Sequence, residues 1–440
     1  MTFISNVWWL LVLIGVMILI HELGHFWAAR FFDVRVETFS FGFGPRLFGF
    51  RRGETDFRFS AILFGGYVKM AGEQPGEESS DPRSFSAKPR WQRLIIAAAG
   101  PAMNIVLAIG LLTGLYMFRF PRPANYNEPA TIGYVQKDSP AEKAGLKPGD
   151  RIVQIDHERN PIWEDVELAT FAAAGKPMTL TIVRDGQQKY VTLTPVLDER
   201  LGVGTVGWSE RKEVQIQGFT PNSQAEKSGL QQGDLLVRAN GEPILAVEKL
   251  HEILRESSGK PVQVTYARGS KTGTTTITPT YSDPDGTGKG RWMLGVQLDP
   301  RMVITQLSFP EAVKESVKFN IKQASLIYQF LQGLVERRMS PKSLEGPIRI
   351  AQLSGAAARE GPTAFFGLMT MVSLNLAIFN LLPIPILDGG MILLLIIEMI
   401  MRRDLSMPVK EAFLKVGMVF LMVVVVFVLY NDISKILPQG

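Results

Sequence analysis

Residues 7–30 read VWWLLVLIGVMILIHELGHFWAAR: fourteen uncharged residues from Val7 to Ile20, then His21-Glu22-Leu23-Gly24-His25. About 20 apolar residues are needed for a helix to cross a bilayer, so this run predicts a span. On a helix, residues four apart share a face, and both imidazoles reach one metal ion while Glu22 stands beside it. In zinc hydrolases such a glutamate serves as general base toward water. What sets this stretch apart is its solvent, because ionisable groups inside a span are costly and mark function.

The rest of the chain fits a membrane protein. Of its 440 residues 46% are apolar, and that share is concentrated in a few segments. Besides Val7–Trp27, spans are predicted at Leu94–Phe118, at Phe365–Met401, which Pro383 and Pro385 interrupt, and around Val416–Tyr430. The first is read as retained and not as a signal peptide, since no basic region precedes it and no small-residue cleavage pattern follows. Lys and Arg cluster between Arg30 and Arg93 and again at Arg402, Arg403, Lys410 and Lys415. Positive loops stay cytoplasmic, which puts both termini and the long central region outside. A net charge of +5 without a long basic run excludes nucleic acid as an expected partner, and the absence of cysteine excludes thiol catalysis.

Between the first two spans, Val34–Met70 alternates apolar and polar residues with glycine punctuation and reads as β structure. It either packs as a small hairpin or accepts a peptide strand along an open edge. Residues 71–90 read as a mobile loop, and Ala97–Asn104 (AAAGPAMN) as a small-residue packing surface in the second span. Compared with itself at an offset of 84, the chain then shows a duplication: Ser139–Glu158 (SPAEKAGLKPGDRIVQIDHE) matches Ser223–Glu242 (SQAEKSGLQQGDLLVRANGE). Each copy resembles the PDZ domain of bacterial envelope proteases, and Leu201-Gly202-Val203 and Leu294-Gly295-Val296 fall where a permuted PDZ domain places its peptide-binding strand. The pair either binds peptides or acts as a plug. His157 and His251, within the copies, read as surface residues. Glu311–Met339 has helical apolar spacing (Val317, Ile321, Ala324, Tyr328, Leu331, Val335), suited to a membrane surface or to packing on the repeats. Leu344–Gln352 and a Gly355–Gly361 turn lead onward.

The third span carries Asn375–Gly390, NLAIFNLLPIPILDGG. The prolines break the helix and free backbone carbonyls. Asp388 lies in apolar sequence with no Lys or Arg between Gly361 and Arg402. A buried carboxylate needs a cation, and zinc held by His21 and His25 would supply it, with a coordination position left for water. Asp388 as a turn residue and Asn380 as an interhelical hydrogen-bonding group are the competing readings.

Taken together, HExxH in the first span, the GxG-bearing β region, the tandem PDZ-like copies and N-x-x-P-x-P-x-L-D-G resemble the site-2 protease family, in its bacterial regulator-of-sigma-E branch, over nearly the whole chain. The resemblance implies a multi-pass α-helical membrane protein of four transmembrane helices with a membrane-associated β-region and two α+β PDZ domains. Its segments would be 1–30, 31–93, 94–119, 127–210 and 211–300 (the PDZ domains), 311–360, 362–401 and 409–432. It implies an intramembrane zinc metalloprotease in which His21, His25 and Asp388 ligate Zn2+ and Glu22 activates water. Asn380 and Pro383 would position the substrate, and Arg58, Phe59, Ser60, Ala61 and Ile62 would pair with it as an added strand. Expected partners are the lipid bilayer, single-pass membrane substrates of the pre-cleaved anti-sigma type, signal-peptide remnants, and peptide ligands of the PDZ domains. The expected location is the bacterial inner membrane, with periplasmic PDZ domains gating entry and the active site toward the cytoplasm. Many relatives carry His after Asp-Gly-Gly where this chain has Met391, a position not expected to ligate. A catalytically inactive membrane PDZ scaffold and a metal transporter are the alternatives, the latter disfavoured by uncharged interiors in the second and last spans.

Overall fold

The computed structural model describes residues 2–73, 81–118, 120–198, 202–221, 223–283, 290–336, 341 and 345–436. Residues 74–80 of the expected mobile loop, with Leu201, Met339 and Leu344, lie outside them. Two units are distinguished, residues 1–120 with 306–328 and 344–440, and residues 121–305 with 329–343.

The apolar run with its Ala and Leu residues and no proline forms α1 (Thr2–Phe31). It is followed by an antiparallel pair, β1 (Val36–Arg52) and β2 (Thr55–Met70). Their register is irregular, and the same residues serve twice. Phe57, Arg58 and Phe59 lie beside Phe39, Ser40 and Phe41 on one edge and beside Phe50, Gly49 and Phe48 on the other. This narrows the expected strand addition at Arg58–Ile62: Arg58 and Phe59 have no edge left, while Ser60 pairs only with Arg46 and Ile62 only with Phe43, so each keeps one side without a strand partner among the described residues. Gly66–Val68 likewise has a strand partner only on one side, that of Phe39–Phe41, among the described residues. Within the expected mobile loop, the described residues around Phe85 are anchored where their composition predicts no anchor. Phe85 is buried against Val34, Val36 and Ile96, and its amide donates to the Ala71 carbonyl at 2.7 Å. One large aromatic residue decides the matter against the surrounding Ser and Pro.

The second span is α2 (Arg90–Met117), with Pro101 inside it. The duplicated region then builds two units with the same local devices 84 residues apart. In the first, α3 (Pro140–Lys143) and α4 (Trp163–Ala172) accompany a sheet ordered Glu158–Arg159, Arg151–Ile155, Met178–Arg184, Gln187–Leu193. In the second, α5 (Gln224–Lys227) and α6 (Val247–Ser257) accompany a six-stranded sheet. Ser139 and Ser223 each cap a short helix, accepting from the Glu142 and Glu226 amides at 3.2 Å. Arg184 Nε donates to Asp150 at 2.6 Å and Arg268 Nε to Asp234 at 2.7 Å. Their Nη2 groups reach the carbonyls of Gly145 and Gly229.

One correction concerns the glycine that closes each copy. Gly295 (φ +80) packs on Ser223, and its carbonyl accepts from Thr220. The residue doing the same in the first copy is Gly207 (φ +76), which packs on Ser139 and accepts from Gln136. Gly202 instead follows the strand Val196–Asp198. The matching segment is therefore Val206-Gly207-Trp208 and not Leu201-Gly202-Val203, because the two copies differ in length just before it. Strand Trp208–Glu210 pairs with Ile132–Val135 as Val296–Pro300 pairs with Val214–Phe219.

The Asp234–Arg268 pair gives the second copy a pH signature. Burial would raise the Asp234 carboxyl, but the Arg268 guanidinium and the Gln231 amide more than offset this and hold it below the ordinary aspartate range. A depressed carboxyl stabilises the fold above its unfolded pKa of about 3.9 and ceases to do so as pH falls through the folded value. Hydrogen-exchange protection factors at Leu235–Ala239, taken relative to the intrinsic exchange rate at each pH, are thus expected to stay flat from neutral pH down to that range and to fall below it. Asp234→Asn should abolish this inflection.

In the returning chain, α7 (Phe309–Val335) buries a face of small and polar residues, Ala312, Ser316 and Asn320, while Ile321, Tyr328 and Val335 are exposed. Thr113 of α2 donates to Ser316 at 3.1 Å. The expected turn at Gly355–Gly361 is instead the C-terminal part of α8 (Pro347–Glu360) and the Gly361 that follows it. Gly355 lies flush against Asn6 of α1, where a Cβ would sit 1.8 Å from Oδ1, so it serves close helix approach and not chain reversal. Asp432 caps α8 from another helix, accepting from the amides of Gly346, Ile348 and Arg349. Next come α9 (Pro362–Leu381), α10 (Asp388–Met401) and α11 (Met407–Ile436). Four helices among the described residues are long and apolar enough to cross a membrane: Phe3–Phe31, Arg90–Met117, Pro362–Leu381 and Met407–Ser434. The expected long third span is thus α9 alone, and the 14-residue α10, at 1.5 Å per residue, is too short to cross about 30 Å. The far end of α10 is pinned by buried Glu398, whose carboxylate lies 2.7 Å from Lys410 Nζ and 3.9 Å from Arg93.

Candidate metal centre

The centre is built where α1 and α2 touch backbone to backbone. A Cβ on Gly24 would lie 2.3 Å from the Ala99 carbonyl oxygen, so nothing larger than glycine fits there. On the α2 side, Ile96, Gly100 and Asn104 stand four apart, the same spacing that separates His21 from His25. Gly100 faces both imidazoles: a Cβ would come within 2.3 Å of His25 Nε2 and 2.8 Å of His21 Nε2. Pro101, next to it, removes one backbone donor from this turn. His25 Nδ1 donates to the Ile96 carbonyl at 2.8 Å. A carbonyl only accepts, so the proton is on Nδ1 and the Nε2 lone pair faces the centre.

Asp388 arrives from 363 residues further along the chain than His25. After α9 ends at Leu381, residues Leu382–Leu387 turn back, and Asp388 is the first residue of α10. Gly389 and Gly390 lie so close to the Leu382 and Ile384 carbonyls that a Cβ would approach them to 2.1 and 2.4 Å. Ile386, β-branched, is held at φ +81. That costs on the order of 1–3 kcal/mol and persists only where surrounding contacts impose it.

His21 Nε2 and His25 Nε2 lie 3.2 Å apart. His21 Nε2 is 3.1 Å from Asp388 Oδ2, and His25 Nε2 is 3.4 Å from Oδ1. Donors about 2.0 Å from a tetrahedral zinc are separated by about 3.3 Å, so these spacings form one face of such a tetrahedron. The three residues are the group able to hold a metal ion among the described residues. Two imidazoles and a carboxylate, both histidines largely buried, are a donor set that fits zinc with one position open.

The other expected site residues are distributed unevenly. Glu22 lies against β2, where a Cβ on Gly66 would come within 3.2 Å of its Cγ. The side of Gly66–Val68 that carries no strand faces the glutamate at Val68, whose amide donates a hydrogen bond to the Glu22 carboxylate. Asn380 is in the last turn of α9 and Pro383 in the break; Arg58–Ile62 lie in β2. His157 and His251 are exposed. Reading the sequence missed Gly100 and Asn104, which it assigned to packing. The available signal was the four-residue spacing of Ile96, Gly100 and Asn104, with an amide in an apolar span.

An HExxH helix beside a distant carboxylate, among four helices long and apolar enough to cross a membrane, fits a zinc metalloprotease. Residues 9–424 match Peptidase family M50, and the chain belongs to that family, the site-2 proteases. It is 31% identical to a protein named as a zinc metalloprotease from Xylella fastidiosa, over 98% of this chain and 99% of that one. It is 30% identical to the regulator of sigma-E protease RseP of Escherichia coli, over 97% and 98%, and to that of Salmonella typhimurium, over the same shares. A solved PDZ domain of an SdrC-like protein from Listeria monocytogenes is 20% identical, spans 20% of this chain and 87% of its own, and has a TM-score of 0.18, too low to carry an argument.

Proposed function

We propose that His21, His25 and Asp388 hold the zinc ion and that Glu22 is the general base for hydrolysis of peptide bonds within the transmembrane segments of single-pass membrane proteins. The observation that carries this is the approach of Asp388 to within 3.4 Å of both imidazoles. Zinc, when bound, polarises the scissile carbonyl and lowers the pKa of a coordinated water to about 7. Glu22 takes the proton of the attacking water and returns it to the leaving amine. A helical amide has its carbonyl hydrogen-bonded, so the substrate must unwind. The open edge at Gly66–Val68, beside Glu22, pairs with the unwound segment. Asn380 and Pro383, flanking the α9–α10 break, position it.

The remaining segments keep the roles their sequence implies. The two repeat units are PDZ domains, at 127–210 and 211–300, that lie in the periplasm and admit substrates already shortened on that side. The relatives named as regulators of sigma-E favour an anti-sigma factor among the substrates, in the inner membrane. The Lys and Arg clusters at 30–93 and 402–415 put the site toward the cytoplasm.

The test is cleavage of a single-pass substrate by the purified chain in proteoliposomes, with zinc measured on the same samples. Asp388→Asn is expected to leave zinc far below stoichiometric and cleavage undetectable. Full occupancy with normal turnover would remove Asp388 from the donor set.

A further inference from the structure

Asn104 is fully buried in α2 and has an amide that faces His21. We infer that Asn104 presents its amide oxygen to His21 Nδ1, and that this hydrogen bond holds the imidazole in the tautomer whose Nε2 is free for the metal. The inference rests on the proposal that His21 is a ligand.

His21 Nε2 is the atom turned to the centre, 3.1 Å from Asp388 Oδ2 and 3.2 Å from His25 Nε2. To donate a lone pair there, Nε2 must be unprotonated, and a neutral imidazole then carries its proton on Nδ1. That N–H needs an acceptor. Asn104 Nδ2 lies 3.2 Å from it, which sets one N–H against another. Meanwhile Asn104 Oδ1 is buried with no hydrogen-bond partner. Half a turn of the amide exchanges the two atoms and gives Oδ1 the His21 proton. The amide nitrogen then takes the buried position in which Oδ1 has no partner.

Two further contacts support the assignment. His25 is already served this way, since its Nδ1 donates to a carbonyl, that of Ile96, from the same face of α2. The Asn104 backbone is also fixed, because its carbonyl accepts from Ser373 Oγ of α9 at 2.9 Å. Asn104 is therefore a positioning residue. It couples His21 to α2, and through Ser373 to the helix that leads to Asp388. Outer partners of metal-bound histidines commonly change metal affinity about 10- to 100-fold when removed.

The test uses the full chain in nanodiscs, stripped of metal and titrated with Zn2+ and Co2+. Asn104→Leu, close in volume with no acceptor, is expected to weaken zinc binding about 10- to 100-fold and to alter the Co2+ absorption spectrum. Asn104→Asp, which keeps an acceptor and loses the donor, is expected to stay within a few-fold of the unsubstituted chain. Nitrogen-15 spectra of the zinc-loaded protein should show His21 protonated at Nδ1. If Asn104→Asp binds as poorly as a His21→Ala control, the amide nitrogen faces the ring and the inference is overturned. Unchanged zinc affinity in Asn104→Leu overturns it too. Should His21→Ala itself bind zinc normally, the fault lies in the ligand assignment, a separate outcome. If Asn104→Leu does not fold, the comparison of Asn104→Asp with the unsubstituted chain still decides.

Discussion

Glu22→Gln is expected to keep stoichiometric zinc and to lose cleavage by about 100- to 10,000-fold, the range that a positioned general base contributes. The separation follows from geometry. The group that could hold a metal ion is His21, His25 and Asp388, and Glu22 projects from the neighbouring helix position toward the Val68 amide of β2. Glutamine fills the same volume, so the helix packing and the donor triangle persist. Its neutral amide has no basic oxygen to take a proton from water. Metal analysis beside a cleavage assay in proteoliposomes reads both quantities. Residual cleavage near that of the unsubstituted enzyme would remove Glu22 from the base role, whereas lost zinc would make it part of the metal's support.

The second large effect concerns a single methyl group. Gly100→Ala should strip the site of zinc and abolish cleavage, because the added Cβ would come within 2.3 Å of His25 Nε2. No relaxation of a flexible tip relieves the clash. His25 is tied to the Ile96 carbonyl, and Gly24 holds α1 against Ala99. Alanine favours a helix over glycine by about 1 kcal/mol, so α2 should be no less helical. Circular dichroism is therefore expected to be unchanged while zinc content falls. Normal zinc occupancy in this variant would mean that the two helices do not meet as described.

How legible all this was in the sequence depended on how local each signal is. His21, Glu22 and His25 are a spacing on one helix, and Asp388 stands out because a carboxylate in apolar sequence has no neighbouring cation, so both halves of the centre could be read before their meeting was seen. The duplication was legible because the caps Ser139 and Ser223 and the pairs Asp150–Arg184 and Asp234–Arg268 recur at one offset. What failed were features set by contact between distant segments. Gly100 and Asn104 are ordinary packing residues until α1 is laid against them. Gly355 reads as a turn until Asn6 occupies the space in front of it. Gly202 shares its Leu-Gly-Val triplet with Gly295, and only the contact with Ser139 marks Gly207 as the counterpart of Gly295. Along β1 and β2, alternation indicated strands but not that Phe57–Phe59 would be enclosed on both edges, since irregular register leaves no mark in composition.

The decisive measurement is X-ray absorption at the zinc edge on the purified, metal-loaded chain and on His25→Ala and Asp388→Asn. The expected spectrum has nitrogen and oxygen donors at about 2.0 Å with outer-shell scattering from two imidazoles, falling to one in His25→Ala and to a lost carboxylate or lost metal in Asp388→Asn. An unchanged zinc environment in both variants would show that the metal is held elsewhere.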